Sequence, residues 1–173
     1  VPALIAGTWS DHGLHTRGSF EGYKSISSED KWLYTHGRQK WGVYYSDEAR
    51  ATQKAFFDHF LKGIDNGFEQ TPAVRLEVRE TRDEYFVRYA RDWPIPGTEY
   101  RSLYLSAGDA TLNTSATNDK KRVQYDARSG RTVFIHRFLE DTEITGNMKL
   151  KLWVATTAGD DMDLFVAVDK LNL

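Results

Sequence analysis

The sequence contains no cysteine. Disulfide scaffolds, thiolate zinc sites and cysteine nucleophiles are therefore excluded, although the absence says nothing about redox compartment. A surplus of charge is also missing. Lys and Arg number 23 against 25 Asp and Glu, a formal net charge of -2, so the electrostatic footprint of a general nucleic-acid binder is not there. No apolar run approaches the ~20 residues of a membrane-spanning helix. The first residues do not read as a basic-then-apolar leader, and no internal repeat or low-complexity tract is visible.

What is present suits a folded chain. With 173 residues, 40% of them apolar and 28% charged, there is material for one ordinary domain or two small or incomplete ones. The opening Val1-Pro2-Ala3-Leu4-Ile5-Ala6-Gly7 has no initiator Met and reads as a buried strand already in progress. The chain is accordingly expected to be an excerpt of something longer.

Two textures meet near residue 65. Before it, Asp47 to Lys62 places Ala51, Ala55, Phe56, Phe60 and Ile64 near one face at helical spacing, with Phe57 and Leu61 alongside. Ser46 suits the start of this helix, Asp47 and Glu48 suit its positive end, and Lys62-Gly63 suits its stop. Ile64 to Pro72 reads as a connector with a turn at Asn66-Gly67. After Pro72 the period changes to two. Val74, Leu76 and Val78 alternate with Arg75, Glu77 and Arg79, and Met148, Leu150, Leu152 and Val154 alternate with Lys149, Lys151 and Trp153. Leu164, Val166 and Val168 do so less cleanly. Glu84–Tyr89, Arg101–Leu105 and Thr132–Phe138 are shorter strand candidates. Half-buried antiparallel strands at these intervals predict a β-sandwich.

The candidate chemistry lies before residue 65. Two units each run from an apolar strand into a polar turn: Ala3 to Gly13, which contains Asp11, and Lys31 to Gly37, which contains His36. Strand ends of an open α/β sheet are where catalytic side chains gather. An Asp that holds one imidazole nitrogen leaves the other free to take a proton from a nucleophile. In α/β-hydrolases the chain order is Ser, then Asp or Glu, then His, which places the nucleophile upstream of Val1. Plainer readings stand beside this one. Asp11 can cap a turn, and His36 can be a satisfied core histidine. His12 and His15, with Asp11 or His36, can imitate a metal cluster. Asp160, Asp161 and Asp163 can be a solvated loop or a calcium turn. Trp9, Trp32 and Trp41 suit packing or a pocket wall. No serine sits in a Gly-x-Ser-x-Gly elbow, and Ser10 beside Asp11 is set aside as a nucleophile.

Several runs together resemble a known family. Gly7-Thr8-Trp9-Ser10-Asp11, Tyr34-Thr35-His36-Gly37 and Phe56-Phe57-Asp58-His59-Phe60-Leu61-Lys62-Gly63 resemble the closing section of the cocaine esterase and X-prolyl dipeptidyl peptidase hydrolases. Pro72 to Val78, Asp92-Trp93-Pro94, Tyr104-Leu105, Tyr125-Asp126, Thr145 to Trp153 and Asp161 to Val166 resemble their C-terminal domain, in the same order. Tyr125-Asp126-Ala127 departs from the Tyr-Asp-Pro frequent in relatives, and the family normally continues past Leu173 with further strands.

The resemblance implies a mixed fold. Residues 1–64 would be the C-terminal end of an α/β-hydrolase domain, its last strands and helix. Residues 65–173 would be an incomplete jelly-roll-like antiparallel β-sandwich, galactose-binding-like, of the X-Pro dipeptidyl peptidase C-terminal type. It also implies a serine hydrolase cleaving acyl esters, amides or short peptides, with Asp11 as the triad acid, His36 as the base, and the Ser and oxyanion hole absent from this chain. Trp9 and Trp32 are assigned to the pocket wall. No cofactor, metal, nucleic acid or membrane is expected as a partner, whereas self-association through an incomplete sandwich edge is. The alternative function is a non-catalytic β-sandwich module that binds carbohydrate or protein.

Overall fold

The computed structural model of the chain describes residues 1–11, 15–81, 83–118 and 120–171. Four strands and three helices come first: β1 (Ala3–Thr8), α1 (Thr16–Ser25), β2 (Lys31–His36), α2 (Lys40–Tyr44), α3 (Asp47–Lys62), β3 (Val74–Arg79) and β4 (Tyr85–Ala90). Two short strands follow, β5 (Tyr104–Ser106) and β6 (Thr111–Asn113).

The four longer strands form one sheet in the order β1-β2-β3-β4. β1 runs parallel to β2 from Ala3 opposite Lys31 to Thr8 opposite His36. β3 joins β2 in parallel, with Leu33 opposite Val74 and Tyr34 opposite Arg75, and β4 closes the edge antiparallel to β3. Parallel pairing needs crossovers, and here they place helices on both faces. On one face, Phe20 and Tyr23 of α1 pack with Leu33, Val74, Leu76, Trp93 and Ile95. On the other, Phe56 of α3 packs with Trp32 and Phe68, flanked by Leu4, Ala55 and Phe60.

α3 has the bounds its sequence predicts. Ser46 Oγ accepts the Ala49 N–H, and Gly63 ends the helix in the left-handed conformation at φ 65°. That backbone geometry is costly for any residue with a Cβ. The apolar stripe is narrower than its spacing suggests, because Ala51, Phe57, Leu61 and Ile64 stay exposed. α3 meets the sheet through Phe56 over Trp32 and through Glu48, which pairs with Arg75 of β3.

β3 corrects another expectation. The alternation of Val74, Leu76 and Val78 with charged residues reads as a strand with one solvated face, yet Arg75 and Glu77 are also buried. β2 and β4 pair with the edges of β3, α1 covers the face of Val74 and Leu76, and on the other face Arg75 meets Glu48 of α3 while Glu77 meets Gly37 and Arg38. The change of texture near residue 65 is likewise no break in the sheet, since β3 and β4 extend the ladder begun by β1 and β2.

The sandwich strands expected farther on are mostly not formed among the described residues. β5 and β6 pair as a small antiparallel unit, and Ile135 adds one isolated bridge to Thr111. Residues 148–154 and 164–168 make no ladder, and Trp153 and Phe165 are 96% and 97% exposed. A strand gains its hydrogen bonds from a neighbour and its burial from a facing layer. Neither is present for these runs.

Candidate active site

The parallel register sets the site. Thr8 lies opposite His36, so β1 and β2 end on the same edge of the sheet. The 3-10 turn Trp9–Asp11 follows β1 directly, while Gly37 and Arg38 follow β2. Extending the pairing of Tyr34 with Arg75 by two residues brings Glu77 of β3 level with His36. The Arg75 guanidinium lies 4.3 Å from the Tyr34 ring centre. Side chains two residues farther along share that face, and these are His36 and Glu77.

The corner after His36 is tightly tied. Gly37 N–H donates to Glu77 Oε1 at 2.7 Å, and Arg38 Nη1 stands 3.1 Å from Glu77 Oε2. That second contact is an ion pair without hydrogen-bond alignment, since neither atom has a hydrogen-bond partner. Thr8 Oγ1 and Ser10 Oγ both reach the Arg38 carbonyl, at 2.9 and 2.8 Å. Trp9 Nε1–H donates to the Glu77 carbonyl at 2.7 Å. Behind them Arg75 donates to the Thr35 carbonyl and to Glu48 Oε1 of α3. The ends of β1, β2 and β3 are thereby locked to one another. A recess of about 280 Å³ opens beside them, lined by Arg38, Gln39, Gly42, Val43, Ser46 and Glu48.

His36 is 5% exposed. Burial draws its pKa below the ordinary imidazole value; the Glu77 carboxylate opposes that shift, and the Arg38 guanidinium adds to it. The imidazole is consequently neutral near pH 7, the state in which it can accept a proton. Burial also pushes the Tyr34 phenol on the same wall up to about 12.

Asp11 reaches the same edge with different partners. Its Oδ2 accepts from Lys40 Nζ of α2 at 2.8 Å and lies 3.8 Å from His15 Nε2. His36 Nδ1 is buried and has no hydrogen-bond partner, so the carboxylate–Nδ1 bond of a triad is not made in this arrangement. The Lys40 ammonium, a charge-assisted donor, holds the Asp11 oxygen instead. The structure brings the two residues to neighbouring strand ends and leaves their hydrogen bond unmade.

The two tryptophans assigned to the pocket wall have packing contacts. Trp9 stacks on Phe20 with ring centres 5.0 Å apart. Trp32 lies among Phe56, Phe60 and Phe68 and donates Nε1–H to the Thr71 carbonyl. Trp41 is exposed beside Tyr44 and Tyr45. His12 lies outside the described residues. Asp160, Asp161 and Asp163 lie in exposed chain, where Asp161 Oδ1 accepts the Met162 N–H. No helix among the described residues is long and apolar enough to cross a membrane.

Nothing in the local sequence marks Glu77, Arg38, Arg75 or Lys40 as neighbours of Asp11 and His36. The available signal was an ionisable residue inside a strand that follows an α/β crossover, where both faces tend to be covered.

Residues 66–172 match the family model of the X-Pro dipeptidyl-peptidase C-terminal non-catalytic domain. The chain belongs to this family. The resemblance to the cocaine esterase and X-prolyl dipeptidyl peptidase hydrolases, C-terminal portion, is thus shown. Cocaine esterase from Rhodococcus sp. (strain MB1 Bresler) is 29% identical over 215 aligned residues, taking in 92% of this chain and 36% of its own length. Two crystal structures of a CocE/NonD family hydrolase from Staphylococcus aureus align with a TM-score of 0.65 at 46% identity, over 66% of this chain and 21% of theirs. The chain spans about a third of that curated relative and about a fifth of those solved chains. These relatives are hydrolases, and the match to the C-terminal non-catalytic domain starts after the corner that carries Asp11 and His36.

Proposed function

We propose that this chain is the C-terminal part of a serine hydrolase that cleaves acyl esters, amides or short peptides, with Asp11 and His36 as the acid and base of its triad. The observation that carries the reading is the placement of both residues at adjacent parallel strand ends, with a buried imidazole held neutral. Strand ends on this side of an α/β sheet are where such machinery is assembled. In this reading residues 1–64 close the hydrolase domain, and residues 65–173 begin an incomplete jelly-roll sandwich. The family match beginning at residue 66 supports that division.

The nucleophilic Ser and the oxyanion donors come from the rest of the hydrolase. Ser Oγ attacks the carbonyl carbon while His36 takes the hydroxyl proton. His36 then returns that proton to the leaving alcohol or amine as the acyl bond breaks. Water attacks the acyl-enzyme, again losing a proton to His36, and the Ser regains it as the acid product departs. Asp11 orients the imidazole in the completed site, which requires its carboxylate to exchange Lys40 for the unpartnered His36 Nδ1.

The test is turnover of the longer hydrolase carrying His36→Ala, with a loss of several orders of magnitude expected; activity near that of the unaltered enzyme would sink the assignment. The 173-residue polypeptide alone should give no adduct with a fluorophosphonate probe by intact mass. A single stoichiometric adduct would place the nucleophile inside it, with Ser10 the first to examine. A second reading, a non-catalytic module that binds carbohydrate or protein, is favoured for residues 66–172 by the description of the matching family. It gains if His36→Ala is without effect. The apolar side chains exposed after residue 138 suit self-association, which sedimentation of the isolated chain would reveal.

A further inference from the structure

We propose that Glu77 is a positioning residue for His36: from β3, its buried carboxylate fixes the backbone corner after the imidazole and supplies the negative charge that faces it. The proposal rests on the reading of His36 as the base. Glu77 is 2% exposed, and a carboxylate so enclosed survives only with partners that hold its charge. Its partners sit directly after His36, with Gly37 N–H on Oε1 at 2.7 Å and Arg38 Nη1 3.1 Å from Oε2. Its own N–H lies 3.2 Å from Thr35 Oγ1, the residue just before His36. One side chain and its amide therefore bracket the imidazole-bearing segment from both sides.

Gly37 shows how closely the carboxylate approaches. A Cβ at that position would stand 2.8 Å from Glu77 Oε1 and 2.6 Å from Arg79 Cδ. Both distances are shorter than side chains tolerate, so the close approach depends on glycine. Asp11 meanwhile is engaged by Lys40. Among the charged groups named at this corner, Arg75, Glu77 and Arg79 come from β3, Arg38 follows β2, Asp11 follows β1, Lys40 opens α2, and Glu48 of α3 is held by Arg75. Each of the three carboxylates faces a cation from another segment, Asp11 facing Lys40, Glu48 facing Arg75 and Glu77 facing Arg38. Glu77 is the one level with the imidazole.

A purely structural carboxylate would hold the turn without being felt by the imidazole, so the test is a titration. In the 173-residue chain, the His36 ring resonances are followed by NMR against pH in the unaltered protein and in Glu77→Gln. Gln keeps an oxygen for the Gly37 N–H and removes the charge. The His36 midpoint should move farther down in the variant, and an unmoved midpoint in a folded variant overturns the proposal. Should Glu77→Gln fail to fold, the Glu77 carboxyl carbon of the unaltered chain serves instead. Its shift should inflect at the His36 midpoint, and a flat trace there overturns the proposal equally. Turnover of His36→Ala in the longer hydrolase judges the function, whereas this titration judges Glu77, so the two fail separately.

Discussion

Residues 3–95 and residues 96–171 carry comparable apolar and polar alternation and reach different ends. The buried apolar side chains described for the chain, from Phe20 to Ile95, all lie in the first stretch. In the second, Leu150, Leu152 and Val154 are exposed despite a period-two pattern as regular as that of β3. The difference is not composition. β3 finds β2 on one side, β4 on the other, α1 over one face, and on the other face Glu48 of α3 and the Gly37–Arg38 corner. The run at 148–154 has no such neighbour. Alternation specifies which face of a strand would be buried, and only a partner layer makes the strand.

The sharpest way to break this comparison is a matched pair of truncations. Leu76→Ala removes a side chain with 0% exposure from the core between α1 and the sheet, and should lower stability by about 2–5 kcal/mol. Leu150→Ala in the same chain should change stability by no more than about 0.5 kcal/mol. Chemical denaturation followed by tryptophan fluorescence reports both. Equal losses would mean that the second stretch is folded against a layer of its own.

A smaller effect is expected at Gly37→Ala. The new methyl would meet Glu77 Oε1 and Arg79 Cδ, and the displaced carboxylate has no solvent to move into. A loss of about 1–3 kcal/mol is expected, with weakened protection of the Gly37 amide in hydrogen exchange. Gly63→Ala is no substitute for this test, because it strains a left-handed backbone without touching the corner.

How much of this was legible follows from where each signal is stored. α3 was readable to its ends because Ser46, the acidic first turn and Gly63 are local signals that act within one turn of the helix. β1 and β2 are readable as apolar runs, and their ending on one edge of the sheet follows from ordinary parallel topology. α1 was not read, since its core contacts Phe20 and Tyr23 are thinly spread among Gly18, Ser19, Glu21 and Gly22, poor helix or core residues in isolation. The alternation puts Glu77 on the polar side of its strand. Its burial depends on the Gly37–Arg38 corner folding over that side, which no local pattern records. For the same reason Lys40 could not be foreseen as the partner of Asp11.

The smallest expected effect concerns acid, and it separates the two stretches again because His36 lies in the packed one. Its folded-state pKa sits below the ordinary 6.5, chiefly through burial. The unfolded chain therefore takes up this proton first as pH falls, and acidification favours unfolding. Stability should begin to decline as pH drops through about 6.5 and keep declining until the lower folded-state value is passed. The ion-paired Asp58, held below its usual 3.8 by the Lys54 and Lys62 ammonium groups, adds its own loss only at more acidic pH. In His36→Gln the upper part of this slope should disappear while the Asp58 part remains. Urea midpoints measured at half-unit steps from pH 7.5 to pH 2 would show it. An unaltered slope in the variant would mean that His36 is no harder to protonate in the folded chain than in the unfolded one, and the neutral imidazole needed for a general base would lose its physical support.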